Sequence, residues 1–152
     1  MGDGTETDCF ICAQQRGDQP IPGGAIFEDE LVVAVHAYDP KLNPAPYLGH
    51  VLVEPRRHAP GLADLRDDEA RAVGLAASRV ARGLREVEAA EHVYLAVLGH
   101  HTPHLHVHLI PRYPGTPREY WDPVRIDEWP DARHGGPEAI AAVVERLRAA
   151  AS

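Results

Sequence analysis

The histidines of this chain are concentrated in one short stretch. Five of the ten lie between positions 100 and 108, and His104, His106 and His108 alternate with the aliphatic residues Leu105 and Val107. Because successive side chains of a β-strand point to opposite faces, this spacing predicts three imidazoles on one face and an apolar row on the other. An imidazole can act as a nucleophile, a proton carrier or a metal ligand near neutral pH. We therefore expect this segment to carry chemistry.

Two kinds of chemistry fit a row of three histidines. In a metal-dependent hydrolase, histidines hold a catalytic ion. A strand rises about 3.3 Å per residue, so His104 and His108 are about 13 Å apart along the backbone and cannot readily share one ion with Zn–N bonds of about 2.1 Å. Neighbouring histidines, such as His106 and His108, can do so. The other chemistry is nucleophilic attack by a neutral imidazole whose second nitrogen is held by a backbone carbonyl. The spacing leaves both alternatives open.

A second group of candidate residues lies near the N-terminus. Cys9 and Cys12 have the Cys-x-x-Cys spacing that places two thiolates on one zinc ion. The same spacing also occurs in redox dithiols, and it leaves the other ligands to come from elsewhere in the chain. A metal site and a redox pair are therefore both compatible with the cysteines alone.

The elements that must position these residues can be predicted from apolar periodicity and turn residues. Residues 67–90 are predicted to form one long helix with Asp67 as its N-cap, and residues 136–150 a C-terminal helix. Residues 99–103 are predicted to form a tight connection, and residues 112–136 an extended segment with a few anchoring aromatics. The predicted strands are residues 26–28, 31–36, 50–54, 93–98 and 104–110. This order predicts an α+β fold with an antiparallel sheet of about five strands.

Length and charge narrow the class of protein. With 152 residues we expect a single domain over residues 1–152, with its core at about 9–113 and residues 114–152 as a C-terminal extension and helix. The net charge of −8 argues against a nucleic-acid coat and leaves room for a small anionic ligand. The N-terminus is polar and acidic, and no apolar run approaches the roughly 20 residues of a membrane span. We therefore expect a cytoplasmic protein with no membrane or nucleic-acid partner.

Three segments of the sequence together resemble a known family. Residues 104–110, His-Leu-His-Val-His-Leu-Ile, match the motif of the histidine-triad (HIT) family, and Pro-Arg-Tyr follows as in bacterial members. Residues 49–58 resemble the family's strand ending in Pro-basic-x-His. The Cys-x-x-Cys pair followed by residues 26–30 resembles the N-terminus of its zinc-bearing branch. The resemblance covers about residues 9–113 in the expected order.

The resemblance implies a fold, a reaction and a role for each matching residue. It implies the HIT fold, a homodimer, and cleavage of nucleoside phosphoramidates or dinucleoside polyphosphates at the α-phosphorus. His106 corresponds to the nucleophile that forms a covalent nucleotidyl-histidine intermediate, His108 to the third histidine of the triad, and His50 to the upstream histidine that supports it. It also implies a structural Zn²⁺ with four ligands, Cys9, Cys12, His58 and His104.

The sequence departs from the family pattern just before the triad. Many members carry Gly-Gln-Ser/Thr there, whereas residues 99–103 read Gly-His-His-Thr-Pro and contain no glutamine. His100, His101 and Thr102 are candidate replacements as donors to the phosphate and leaving group. The family's ribose-binding acid has no clear counterpart at the matching place, and Asp39 is the candidate if the longer loop shifts the register. Phe27 and His36 are candidate walls of the base pocket.

The combined prediction is a nucleotide-binding hydrolase or transferase that acts through His106. Two alternatives remain at this stage. One is a zinc-dependent hydrolase with its metal at His106 and His108, and the other is a non-catalytic nucleotide-binding member of the same family.

Overall fold

The computed structural model describes residues 6–151 as an α+β fold built on one five-stranded antiparallel sheet. The helices are α1 (Phe10–Arg16), α2 (Asp67–Val87) and α3 (Pro137–Ala151), and the strands are β1 (Phe27–Glu28), β2 (Val32–His36), β3 (Val51–Pro55), β4 (His92–Ala96) and β5 (Val107–Arg112). The strands lie side by side in the order β1-β2-β3-β5-β4. Short 3₁₀ turns occupy Glu6–Asp8, Leu62–Asp64, Arg118–Tyr120 and Ile126–Glu128. The predicted fold class and strand count are confirmed.

The long helix α2 covers the sheet with its apolar stripe. Val73, Ala76, Val80 and Leu84 are buried in the same hydrophobic cluster as residues of β2, β3, β5 and α3. The stripe was predicted correctly because the apolar residues recur at helical spacing. The C-terminal helix α3 packs against α2 and buries Ile140, Val143, Val144 and Leu147.

Both ends of α2 differ from the prediction. Arg66, not Asp67, is the N-cap residue, and its backbone N–H donates to the Glu69 carboxylate at 2.9 Å. Glu69 therefore closes the first turn from the N3 position, as in a capping box. At the other end α2 stops at Val87, because Ala89 has a φ of 62° that a right-handed helix does not allow.

The triad strand is shorter than its alternation predicts. The ladder of β5 begins at Val107, which pairs with Val53, so His104 and His106 lie in the extended segment that precedes the strand. Further pairing would require the N–H that Pro55 lacks. The N–H of Leu105 donates instead to the carbonyl of Ala59 at 2.7 Å. The prediction of a continuous strand over residues 104–110 is therefore wrong for its first three residues.

The segments on either side of β5 also differ from the prediction in length and in secondary structure. The connection from Ala96 to Val107 is longer than the predicted tight turn at residues 99–103. The segment after β5 contains two 3₁₀ turns, and Ile126 within it is fully buried. Arg112 stacks on the ring of Trp121, with 3.8 Å from the guanidinium carbon to the ring centroid. Within residues 6–151, none of the helices has the length and apolar character that crossing a membrane requires.

Candidate active site and metal centre

Two cysteines and two histidines converge beside the N-terminus of α1. The four ligand atoms of Cys9, Cys12, His58 and His104 all lie within 4.8 Å of one another. The distance from Cys9 Sγ to His104 Nδ1 is 3.5 Å, and Cys12 Sγ lies 3.4 Å from both His58 Nδ1 and His104 Nδ1. A sulfur and a nitrogen bound to one tetrahedral zinc ion are about 3.6 Å apart, given Zn–S near 2.3 Å and Zn–N near 2.1 Å. This group can hold a tetrahedral metal ion.

The protonation chemistry of the cluster agrees with that use. His104 is fully buried, its Nε2–H donates to the carbonyl of Pro55 at 2.8 Å, and its Nδ1 therefore faces the sulfurs with a lone pair. Burial is the main cause that lowers the pKa of His104, which keeps it neutral as a ligand must be. Burial and the adjacent Cys9 thiol raise the pKa of Cys12 to about 12. A cation is therefore needed to hold the Cys12 sulfur as a thiolate.

His106 occupies the floor of a pocket with one nitrogen fixed. Its Nδ1 lies 2.7 Å from the carbonyl oxygen of His104, and a carbonyl can only accept, so Nδ1–H donates. In the neutral ring the proton is therefore absent from Nε2, which keeps its lone pair. The same residue, His104, thus binds in the metal cluster through its ring and orients His106 through its backbone.

His50 and His108 form a second pair beside His106. A hydrogen bond of 2.9 Å joins His50 Nε2 to His108 Nδ1, and the rings of His106 and His108 are 4.9 Å apart at their centroids. Burial lowers the pKa of His50 to about 3, with His108 as the next cause. Burial also lowers the pKa of His108 to about 4, with His106 as the next cause. Both imidazoles are therefore neutral at physiological pH and share one hydrogen bond.

The pocket lined by His106 has a volume of about 450 Å³ and both apolar and polar lining residues. Helix α1 contributes Phe10, Ile11 and Gln14, and the loop after β2 contributes Tyr38 and Leu42, which together make one wall largely apolar. Its polar residues include His50, His106, His101, Thr102, Asp39 and Asn43. The pocket can hold a ligand that combines a flat apolar group with an anionic group.

The structure brings some of the remaining predicted site residues into this pocket and leaves others outside it. His101, Thr102 and Asp39 line the pocket, and His100 does not. Phe27 packs on the hydrophobic core, with the guanidinium of Arg79 5.4 Å from its ring centroid. It is therefore not a wall of this pocket.

His36 also lies outside the pocket, because β2 is buried along its whole length. Its Nδ1–H donates to the carbonyl of Ala37, and its Nε2 accepts from the N–H of Gly49, both at 2.9 Å. Burial lowers the pKa of His36 to about 4. This histidine is a neutral, fully hydrogen-bonded core residue, and its hydrogen bond with Gly49 positions the chain just before β3.

The contribution of α1 to the pocket was not predicted from the sequence. This helix has only seven residues, and its buried side chains are Ile11, Cys12 and Gln14. The spacing of Ile11 and Gln14, three residues apart, is helical, but one turn of periodicity is too little to distinguish a helix from a loop. The Cys-x-x-Cys pair at its start was the only strong signal in this segment.

A buried carboxyl group on β3 accepts a hydrogen bond from helix α1. Glu54 on β3 is 1% exposed, and Gln15 Nε2 donates to its Oε2 at 3.1 Å. Its Oε1 has no hydrogen-bond partner among residues 6–151. Burial raises the pKa of Glu54 to about 8, so the group is mostly protonated at neutral pH.

Replacement of Glu54 by glutamine is expected to stabilise the protein. A folded-state pKa raised from 4.5 to about 8 means that stability falls as the pH rises from 4.5 towards 8, because the unfolded chain loses the proton first. Glu54→Gln keeps an acceptor for Gln15 and removes this linkage. The free energy of unfolding should rise by about 3 kcal/mol at pH 7 and by much less near pH 4.5. Urea unfolding at several pH values measures the difference, with the exposed Glu30→Gln as control, and equal stabilities at pH 4.5 and 8 would contradict the assignment.

Comparisons with known proteins agree on one family. The HIT domain family model matches residues 19–115. "Protein hit" of Bacillus subtilis (strain 168) is 30% identical over 113 residues, which cover 70% of this chain and 72% of that protein. The bifunctional bis(5'-adenosyl)-triphosphatase/adenylylsulfatase of Arabidopsis thaliana is 38% identical over 71 residues. That match covers 43% of this chain and only 39% of the Arabidopsis protein, so the chain spans well under half of that relative.

A solved structure is similar along nearly the whole chain. The Zn-bound histidine triad family protein from Mycobacterium smegmatis has a TM-score of 0.70 and 25% sequence identity, and the match covers 97% of this chain and 95% of that one. The region that matches the HIT domain family model, residues 19–115, includes His50, His58 and the triad. Cys9 and Cys12 lie before its first residue.

Proposed function

This chain belongs to the HIT family, and from that premise we propose that it is a nucleotide hydrolase or transferase that attacks the α-phosphorus of its substrate with His106. The observation that carries the proposal is the fixed tautomer of His106. Its Nδ1–H is held by the His104 carbonyl at 2.7 Å, and the half-buried ring lines the pocket. An imidazole held in this way presents an unprotonated nitrogen to a bound phosphate.

The reaction proceeds in two displacements. The lone pair of His106 Nε2 forms a bond to the α-phosphorus, and the bond from phosphorus to the leaving group breaks, with that group taking the electron pair and a proton from solvent. The ring now carries positive charge, which the hydrogen bond from Nδ1–H to the His104 carbonyl stabilises. Water then attacks the same phosphorus and gives up one proton to solvent, the P–N bond returns its electrons to His106, and a nucleoside monophosphate is released.

The turn before the triad supplies polar groups for the first displacement. His101 and Thr102 line the pocket with His106. They take the place of the family's glutamine and hydroxyl as donors to the phosphate and to the departing group. Asp39, which lines the same pocket, is the candidate to bind the ribose hydroxyls. The neutral pair His50 and His108 packs against His106 and holds its ring in position.

The substrates that fit this chemistry are nucleoside phosphoramidates and dinucleoside polyphosphates. Support comes from the Arabidopsis relative, which is named a bis(5'-adenosyl)-triphosphatase. The test is a substrate panel of adenosine phosphoramidate, diadenosine polyphosphates and nucleotidyl-sugars, combined with rapid alkaline quench, which preserves a P–N bond, and mass spectrometry of the chain. A nucleotidyl adduct on His106 supports the proposal. Binding of nucleotides without turnover or adduct would support a non-catalytic member of the family.

The alternative of a catalytic metal at His106 and His108 is less well supported by the geometry. Among residues 6–151, the metal-ligating side chains gather in a group of three or more only at Cys9, Cys12, His58 and His104. Nδ1 of His106 is engaged by the His104 carbonyl, and Nδ1 of His108 by His50. Fully active protein that contains one zinc ion per chain would favour the nucleophilic mechanism, because the metal-dependent one needs a second ion at His106 and His108.

We propose that the Cys₂His₂ group holds one structural Zn²⁺. Four protein ligands fill a tetrahedral ion and leave no position for substrate, so the ion supplies rigidity to the segments it joins. His58 follows β3 and His104 precedes β5, while both cysteines lie at the start of α1. The metal would therefore join three segments of the chain around the floor of the pocket.

We also propose that the protein is a homodimer through its edge strand. Strand β4 is one of the two outermost strands of the sheet, and Leu95 on it is 60% exposed. The adjoining Val97 and Leu98 are each 41% exposed. An exposed strand edge with apolar side chains favours pairing with a second copy.

Sedimentation velocity at micromolar concentration is expected to show a dimer. Leu95→Arg should shift the protein to monomer, because it places two like charges at the paired edge. The matched control is Leu62→Arg, since Leu62 is 63% exposed but lies in a 3₁₀ turn away from β4. A wild-type protein that sediments only as a monomer would contradict the proposal.

A further inference from the structure

Gln14 is an unusual component of the pocket wall. It lies on α1, is only 4% exposed, and lines the pocket together with the apolar side chains of Phe10, Ile11 and Tyr38. A buried polar side chain must be hydrogen-bonded or it destabilises the fold. The hydrogen bonds of Nε2 and Oε1 within the protein therefore decide which of the two atoms is available to a ligand.

The amide nitrogen of Gln14 is hydrogen-bonded within the protein. Gln14 Nε2 donates to the carbonyl of Pro20 at 3.2 Å and to the carbonyl of Tyr38 at 3.3 Å. Both partners can only accept, and together they engage both amide hydrogens, so the amide cannot be turned round. Oε1 accepts no hydrogen bond from any residue in the range 6–151, and it is absent from the buried atoms that lack partners. Oε1 is thus an accessible acceptor held in one orientation at the pocket.

A fixed acceptor on an apolar wall discriminates between flat heterocycles by the group they present. We propose that Oε1 of Gln14 accepts a hydrogen bond from the exocyclic amino group of the base and so selects it. For the adenosyl substrate that the Arabidopsis relative is named for, this is the 6-amino group of adenine. This inference rests on the proposed function, because it assumes that the pocket holds a nucleotide. A base with a carbonyl at the same place would bring two acceptors together, and a base with a bare carbon there would leave Oε1 without a partner.

The inference is tested first on the wild-type protein with a series of product nucleotides. Calorimetric affinities are compared for AMP, for purine ribonucleoside monophosphate, which has hydrogen at position 6, and for IMP, which has a carbonyl there. The expected order is AMP, then the purine nucleotide about 10-fold weaker, then IMP weaker still. Equal affinities for the three would overturn the inference and leave the proposed function intact. Failure to bind any of them would overturn both.

A substitution then locates the effect on Gln14. Gln14→Met keeps the length of the side chain and removes the acceptor, so AMP should weaken about 10-fold while the purine nucleotide changes little. The matched control is Gln19→Met, which makes the same change outside the pocket and should keep the wild-type order. Thermal unfolding establishes that both variants are folded, and if Gln14→Met unfolds, the analogue series on wild type still decides. A full AMP preference in a folded Gln14→Met protein would overturn the assignment.

Discussion

Replacement of His106 by alanine is expected to lower turnover of the best substrate by at least about 10³-fold, with nucleotide affinity nearly unchanged. The loss is large because, among the lining residues that the structure describes, His106 is the imidazole with Nδ1–H held by a carbonyl, and removal of a nucleophile typically costs several orders of magnitude. Affinity should be retained because the groups proposed to contact base and ribose are other residues of the pocket wall. Single-turnover kinetics and calorimetry with AMP measure the two quantities separately.

His100→Ala is the matched control for this experiment. His100 belongs to the same histidine-rich stretch but does not line the pocket, so its loss should change turnover little. His106→Gly with a nucleoside phosphorimidazolide offers a further check, since the substrate then carries the missing imidazole and only the second displacement is required. If His106→Ala turns over substrate at a rate near wild type, the covalent mechanism is wrong for this protein.

Loss of the metal is expected to have the second largest effect, on stability and not only on activity. Cys9→Ala removes one of four ligands, and zinc content should fall from one ion per chain to near zero. Binding energy of a structural zinc is folding energy and can reach about 10 kcal/mol in small domains. A loss of even a few kcal/mol lowers the melting temperature by about 10 °C in a chain of this size. Elemental analysis and thermal unfolding of the same samples measure both effects.

His92→Ala provides the control for a general effect of removing a metal-binding side chain. His92 lies on the edge strand and is exposed, so both zinc content and melting temperature should stay at wild-type values. A wild-type protein that contains no zinc after careful purification, or a disulfide between Cys9 and Cys12, would contradict the metal assignment. Both cysteines are free thiols in the structure.

The sequence was most informative where a pattern repeats over several turns or strands. The apolar stripe of α2 and the alternation around His108 predicted the correct elements, because burial of one face imposes a period on the sequence. The four metal ligands were brought together in sequence only by the family resemblance. The spacing of Cys9 and Cys12 by itself left a redox pair equally possible.

The errors arose where a residue's environment depends on a distant segment. The start of β5 depends on Pro55, which cannot donate to the ladder, and this partner was not known until the strands were paired. Phe27 and His36 were expected at the pocket, but β2 is covered on both faces and His36 is used by the backbone around it. Gln14 escaped notice because its importance comes from two carbonyls that belong to separate loops.

The double use of His104 has a consequence for the lifetime of the active state. The ring that binds in the metal cluster and the carbonyl that orients His106 belong to one residue, so dissociation of the ion would release the orientation of the nucleophile at the same moment. On the proposed mechanism, the residence time of the metal therefore sets an upper limit on how long the protein stays active after dilution into a chelating medium. Inactivation should follow the first-order rate of zinc release, with no slower phase for a metal-free but active species.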